Sequence, residues 1–169
     1  MLIDNYNVDY IINIGVAGGV NNNLNVGDIV IGKTLVQHDF DITKFGHEKG
    51  FITGVGKEIY SDINLVNLFS SNFDNSNNKL LIGTIASGDI FCTEPSMSLK
   101  IHDKFHADGV EMEGAAIAQV CFLCNVPFII RSISDVVNGS NEVMFDKFLY
   151  SSSNVVAKLL VDVINKINR

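Results

Sequence analysis

Arginine is nearly absent from this 169-residue chain: only Arg131 and Arg169 occur. Its 12 basic residues form no patch or stripe and are outnumbered by 19 acidic ones, for a formal net charge of −7. Phosphate contacts need clustered Lys and Arg, so this balance argues against a nucleic-acid partner. No apolar run reaches the roughly 18 residues needed to cross a bilayer, so no membrane partner is expected. The opening Met1–Asn7 lacks the basic region and cleavage pattern of a signal peptide, which leaves the cytoplasm as the default compartment. Cysteine is sparse too, with Cys92, Cys121 and Cys124 only. An odd number without a secretory signal argues against a disulfide framework. Cys121-Phe122-Leu123-Cys124 has C-x-x-C spacing but no second pair for zinc, and it lies in an apolar helical run, so buried structural cysteines are expected. Repeats and linkers are absent, and the asparagine-rich patches are short and turn-like.

What is present suits one domain over residues 1–169: 47% hydrophobic and 18% charged residues, enough for a respectable core. Strand and helix signals alternate as in βαβ units. Strands are predicted at Tyr10–Val16, Ile29–Val36, Glu58–Tyr60, Leu80–Ala86, Gly109–Met112 and Phe128–Ser134. Helices are predicted at Ile63–Phe69, Pro95–Phe105, Gly114–Cys124 and Val143–Ile167. Pro95 suits a first helical turn, where its missing N–H is not needed. The fold class is α/β, a mixed and largely parallel central sheet flanked by helices. Met1–Asn7 reads as the tail of a helix leading directly into the first strand.

Chemistry concentrates where apolar strands end. Val110-Glu111-Met112-Glu113 places two carboxylates at a strand-to-helix junction, and Phe128 to Asp135 is a nearly apolar run that ends on an acid. Carboxylates are costly to take out of water, so they need partners or a ligand. The carboxyl ends of parallel strands are where such sheets bind ligands. Glu113 could serve simply as a favourable charge at a helix N-terminus, but that leaves Asp135 unexplained, and two such ends suggest one site. Other features read more plainly. Gly15-Val16-Ala17-Gly18-Gly19 matches no phosphate-binding pattern and on spacing alone is a tight turn. Phe91, after Ser87-Gly88-Asp89, reads as a core aromatic or as a platform for a planar ligand. His102 and His106 are four apart on one helix face and lack a third ligand, so a surface pair is expected. Asp39 and Asp41, beside His38, are expected to be solvated.

Five motifs occur in order: Asn13-Ile14-Gly15-Val16-Ala17-Gly18-Gly19, Val26-Gly27-Asp28-Ile29-Val30, Ser87-Gly88-Asp89, Val110-Glu111-Met112-Glu113 and Arg131-Ser132-Ile133-Ser134-Asp135. The series resembles the 5′-methylthioadenosine/S-adenosylhomocysteine nucleosidases of the nucleoside phosphorylase superfamily, nearly from end to end of the chain. The resemblance implies a nucleoside phosphorylase-like fold, no cofactor, no metal, and hydrolysis of the N-glycosidic bond of adenine nucleosides. Asp135 matches the acid that protonates the purine N7, and Glu113 the carboxylate that holds the ribose hydroxyls. Met112 would pack on the ribose, Phe91 would stack on adenine, and the Cys92 backbone would read the base edge. Val16, Ala17 and Gly18 would line the sugar and water side, and Arg131 would orient carboxylates around the attacking water. A phosphorylase relative is the natural competitor. Val16 stands where such enzymes carry a phosphate-binding hydroxyl, and arginine clamps are scarce here, so hydrolysis is favoured. The segment His38 to Gly46 resembles the family's loop that reaches the partner active site in a homodimer. Ile42, Phe45 and His47 would then cover the 5′-substituent, His47 departing from the usual aromatic.

The family begins with further strands and a glutamate-rich turn that supplies the water-activating carboxylate, and no stretch here matches them. The expectation is an N-terminally truncated version with exposed apolar sheet edges. That opens a second class: a truncated or split product that binds adenine nucleosides without autonomous activity. A catalytically idle interaction protein is a third.

Overall fold

The structure, a computed structural model, describes the backbone of residues 2–74, 76–136 and 142–167, and the side chains of those residues except 130–154. Helix α1 (Leu2–Asn5) leads into β1 (Ile11–Gly19), as Met1–Asn7 predicts. β2 (Ile29–Gln37), β3 (Ile59–Tyr60), α2 (Ile63–Ser71) and β4 (Leu80–Ser87) follow. The chain continues through α3 (Pro95–Phe105), β5 (Gly109–Glu111), α4 (Gly114–Leu123), β6 (Phe128–Val136) and α5 (Glu142–Ile167).

The sheet order is β3-β2-β4-β5-β1-β6, and β2 also pairs with β6. β2 meets β4 along one side; along the other its first half meets β6 and its second half β3. The sheet therefore curls round and closes on itself. Pairings β1–β6, β2–β4 and β4–β5 are parallel, while β1–β5, β2–β3 and β2–β6 are antiparallel. The mixed sheet expected from the sequence is present, and its two long ladders, β1–β6 and β2–β4, are the parallel ones.

One core layer joins Ile29 and Ile31 of β2 and Ile129 of β6 to Leu65, Val66 and Phe69 of α2 and Val156, Leu159 and Val163 of α5. The other packs Val30, Leu35, Ile85 and Phe128 against Ala115, Ala118 and Cys121 of α4. Val30 and Leu35 share a layer although five positions separate them, which simple strand alternation forbids. An irregularity between Gly32 and Thr34 in the β2–β4 register resolves this, because an extra residue restores the inward side. Gly27 takes the left-handed conformation (φ 95°), and the carboxylate of buried Asp28 accepts the N–H groups of Asn25 and Lys79, each at 2.8 Å. The Gly27-Asp28 pair thus anchors the start of β2 to that of β4.

Three expectations change. Cys121 is buried as expected, but Cys124, past the last residue of α4, is exposed. Gly15–Gly19 is strand rather than a tight turn: β6 pairs with it residue for residue as far as Gly19↔Val136, and that ladder outweighs the glycines' local freedom. His106 is not on the helix face of His102. The helix ends at Phe105, His106 turns left-handed (φ 51°), and His102 Nδ1 lies 2.6 Å from the Ala107 carbonyl.

Candidate active site

Register alone brings the candidate acids' strands together. In the β1–β6 ladder Gly18 pairs with Asp135, Ala17 with Ser134 and Val16 with Ile133. On its other side Gly18 pairs with Val110 of β5, and β5 in turn sets Glu111 beside Ser87 of β4. Neighbouring strands lie about 4.8 Å apart, so the ends of β4, β5, β1 and β6 form one rim a few ångströms wide per step. Ala17 is buried, while Val16 and Gly18 are half-buried there. Arg131 sits four residues back on β6, at the level of Ile14 on β1 and Ile31 on β2. The side chains of Asp135 and Arg131 lie outside the described ones; their backbone positions are what the structure gives.

The two glutamates at the β5–α4 junction divide their work. Glu111 is half-buried, and its carboxylate accepts the N–H of Gly114 at 2.8 Å and that of Glu113 at 3.1 Å. It also accepts the Ser87 hydroxyl, which in turn receives the Ala115 N–H at 2.7 Å. The Glu113, Gly114 and Ala115 N–H groups at the start of α4 are thus satisfied from Glu111 and Ser87. Glu113 occupies the cap position of the helix yet makes no side-chain capping bond, and it is exposed. Among the described residues nothing at the helix start engages its carboxylate. Met112 beside it is 38% exposed.

β4 ends at Ser87, Gly88 and Asp89 lead on from it, and Phe91 follows with 70% of its surface open. That exposure removes the core-aromatic reading. Cys92 is half-buried, and burial pushes its thiol up. The Asp39 carboxylate is not simply solvated. It accepts the Asp89 N–H at 2.7 Å and the Gln37 side-chain amide at 2.7 Å. Burial pulls its pKa upward, but these bonds and the nearby His38 outweigh that, and the net direction is down. Asp41 is exposed, as expected, although Thr43 donates to it from both N–H (3.0 Å) and hydroxyl (2.7 Å). The roles of Ser87 and Asp39 were missed from sequence; the only signal was a serine and an aspartate at two strand ends. Among the described residues no group of His, Cys, Asp and Glu is arranged to hold a metal, and no helix is long and apolar enough to cross a membrane.

An open concavity lies elsewhere. An apolar groove of about 810 Å³ runs along α1, the first residues of β1 and the later turns of α4, lined by Leu2, Ile11, Ile14, Val120 and Cys124 among others.

The profile of the Phosphorylase superfamily matches residues 1–165. A 5′-methylthioadenosine/S-adenosylhomocysteine nucleosidase from Bacillus velezensis is 38% identical over 172 residues, covering 99% of this chain and 74% of that protein. This chain belongs to that nucleosidase family. The crystal structure of the Campylobacter jejuni nucleosidase superposes with a TM-score of 0.90 at 36% identity, covering 98% of this chain and 72% of that one. The Helicobacter pylori nucleosidase, as a D198N mutant with 5′-methylthioadenosine in its active site, gives 0.89 at 31% identity over 98% and 72% of the two chains. The chain thus spans about three quarters of the nucleosidases it matches, and its curled sheet is theirs.

Proposed function

We propose that this protein hydrolyses the N-glycosidic bond of 5′-methylthioadenosine, S-adenosylhomocysteine and related adenine nucleosides, releasing adenine and a 5-substituted ribose. The observation that carries the reading is the double pairing of Gly18, with Asp135 on one side and the strand that leads to Glu113 on the other. An acid at the base end and a free carboxylate at the sugar end are what cleavage of this bond needs.

Asp135 protonates the purine N7 as the bond breaks, because an adenine anion is a poor leaving group; general acid catalysis is typically worth about 10²–10⁴-fold. Glu113 holds the ribose hydroxyls and places negative charge beside the sugar as it becomes oxocarbenium-like, which favours the transition state over the ground state. The absence of a side-chain cap on Glu113 supports this assignment. Met112 packs on the ribose, Phe91 stacks on adenine, and the Cys92 backbone reads the base edge. Val16, Ala17 and Gly18 line the sugar and water side, and Arg131 orients carboxylates around the attacking water. The protein works as a homodimer whose His38–Gly46 segments reach the partner site. The exposed Phe45, with 81% of its surface open, supports that loop as a contact.

The deciding experiment incubates the 169-residue chain with 5′-methylthioadenosine and follows adenine release, with calorimetric binding measured in parallel. Release proportional to enzyme establishes hydrolysis. Because the chain spans about three quarters of its relatives, a second reading is tested at once: binding without release makes it a nucleoside-binding protein that lacks autonomous turnover. Neither binding nor release overturns both.

A further inference from the structure

His38 follows directly on β2 and is 4% exposed, a buried histidine in a loop of charged residues. A methyl group added to Gly88 would meet its imidazole Nε2 at 2.3 Å, Cε1 at 2.6 Å and Cδ2 at 2.9 Å. The ring therefore lies flush on the Gly88 backbone, in the room any side chain at 88 would need. Nε2 is buried with no hydrogen-bond partner among the described residues, so contact rather than hydrogen bonding by this nitrogen seats the ring. Around it the two segments are tied repeatedly. The His38 N–H donates to the Ser87 carbonyl at 2.9 Å, and the Gly88 N–H to the Glu111 carbonyl at 3.1 Å. The Asp89 N–H donates to the Asp39 carboxylate at 2.7 Å, which Gln37 holds from behind at 2.7 Å. Gln119 of α4 reaches Gln37 at 3.5 Å.

The segment so gripped is the one that leads into Phe91 and Cys92. We propose that His38 is a positioning residue for the adenine-binding segment: its ring, seated on Gly88, and the Asp39 carboxylate on the Asp89 N–H together set the path of residues 87–92. The proposal rests on the assignment of Phe91 and Cys92 to the base. It predicts a division the fold alone does not: loss of the ring weakens recognition of the base and spares that of the sugar. A ring of similar shape restores function, because the device is a surface and not a proton. The interlock is also mutual, since Gly88 is required only while the ring is there.

Three variants, His38→Ala, His38→Phe and Gly88→Ala, and the double variant H38A/G88A test this by calorimetry with adenine and with 5-methylthioribose, and by amide hydrogen exchange. In H38A the adenine Kd rises about tenfold or more and the Asp89 amide exchanges correspondingly faster, while the methylthioribose Kd stays within about twofold. H38F returns adenine binding to near the wild-type value. G88A alone loses adenine affinity, and the double variant loses less than the product of the single effects by about fivefold, since the new methyl occupies the vacated room. Equal losses for adenine and methylthioribose, multiplicative single effects, or unchanged Asp89 exchange in both H38A and G88A overturn the proposal. If H38A fails to fold, G88A and H38F carry the same test. A wild-type chain that binds neither molecule overturns the base-binding assignment; Asp89 exchange in G88A against wild type then decides by itself whether the interlock sets the segment.

Discussion

Helix α4 has two ends with opposite characters. At its start, the N–H groups of Glu113, Gly114 and Ala115 are answered by Glu111 or Ser87, and the Glu113 carboxylate makes no capping bond. At its finish, Val120, Phe122 and Leu123 are each at least half exposed, and the groove against α1 and β1 is almost wholly apolar. The first end shows polar groups answered by Glu111 and Ser87 around a carboxylate that makes no capping bond. The second shows apolar surface without cover, the signature of a face that associates.

The largest effect expected from breaking this contrast is at the rim. Asp135→Asn in a preparation that releases adenine slows release by about 10²-fold or more, with nucleoside binding retained. Undiminished turnover removes Asp135 from the acid's role. Glu113→Gln comes next: it raises the Kd for 5′-methylthioadenosine by roughly 10- to 100-fold, the worth of hydrogen bonds to a charged group, and leaves free adenine binding as it was. An equal loss for free adenine would place Glu113 elsewhere. Glu111→Gln is a stability change first, costing about 1–2 kcal/mol in urea denaturation through weaker answers to the Gly114 N–H and the Ser87 hydroxyl. At the far end, Val120→Lys with Leu123→Lys leaves both Kd values unchanged and shifts sedimentation toward smaller species. A change in adenine affinity there would show that the two ends of α4 are not separate.

The smallest effect is on pH dependence. Burial holds the His38 imidazole below its ordinary value near 6.5, Asp39 pulling upward and Lys49 downward. The unfolded chain then takes up the proton more readily than the folded one. This contribution to stability is complete above the unfolded value and is lost as pH falls through about 6.5 and below. Asp39, held low, adds stability that disappears only below its ordinary 3.8, so the window from pH 7 to 5 isolates histidine. The urea midpoint of the wild type should fall across it more than that of H38F; parallel slopes would remove His38 from the titration.

Most elements were legible because their signals are local. Pro95 and the apolar spacing of 95–105 define α3 to the residue, and the continuous apolar runs at 80–86 and 128–134 are the strands they resemble. Two of the misreadings share one cause, pairing with distant chain. Gly15–Gly19 is extended because β6 lies beside it, and Asp39 is held because Asp89, fifty residues on, donates to it. No window around either position contains the partner. The site followed the same division. The free carboxylate of Glu113 and the exposed ring of Phe91 could be nominated from their motifs, but that Glu111 caps α4 and Ser87 supports it required the β4–β5 register.

The second pairing of β2 has a consequence in time. Ile29 and Ile133 meet across more than a hundred residues of chain, and such contacts form late because the loop entropy must be met before they reward it. β6 is also the strand that carries Asp135. During synthesis, four of the five strands of the closed ring and Glu113 emerge first, and Asp135 comes last with the strand that closes the sheet. The rim formed by the strand ends and the closed fold are completed by the same event.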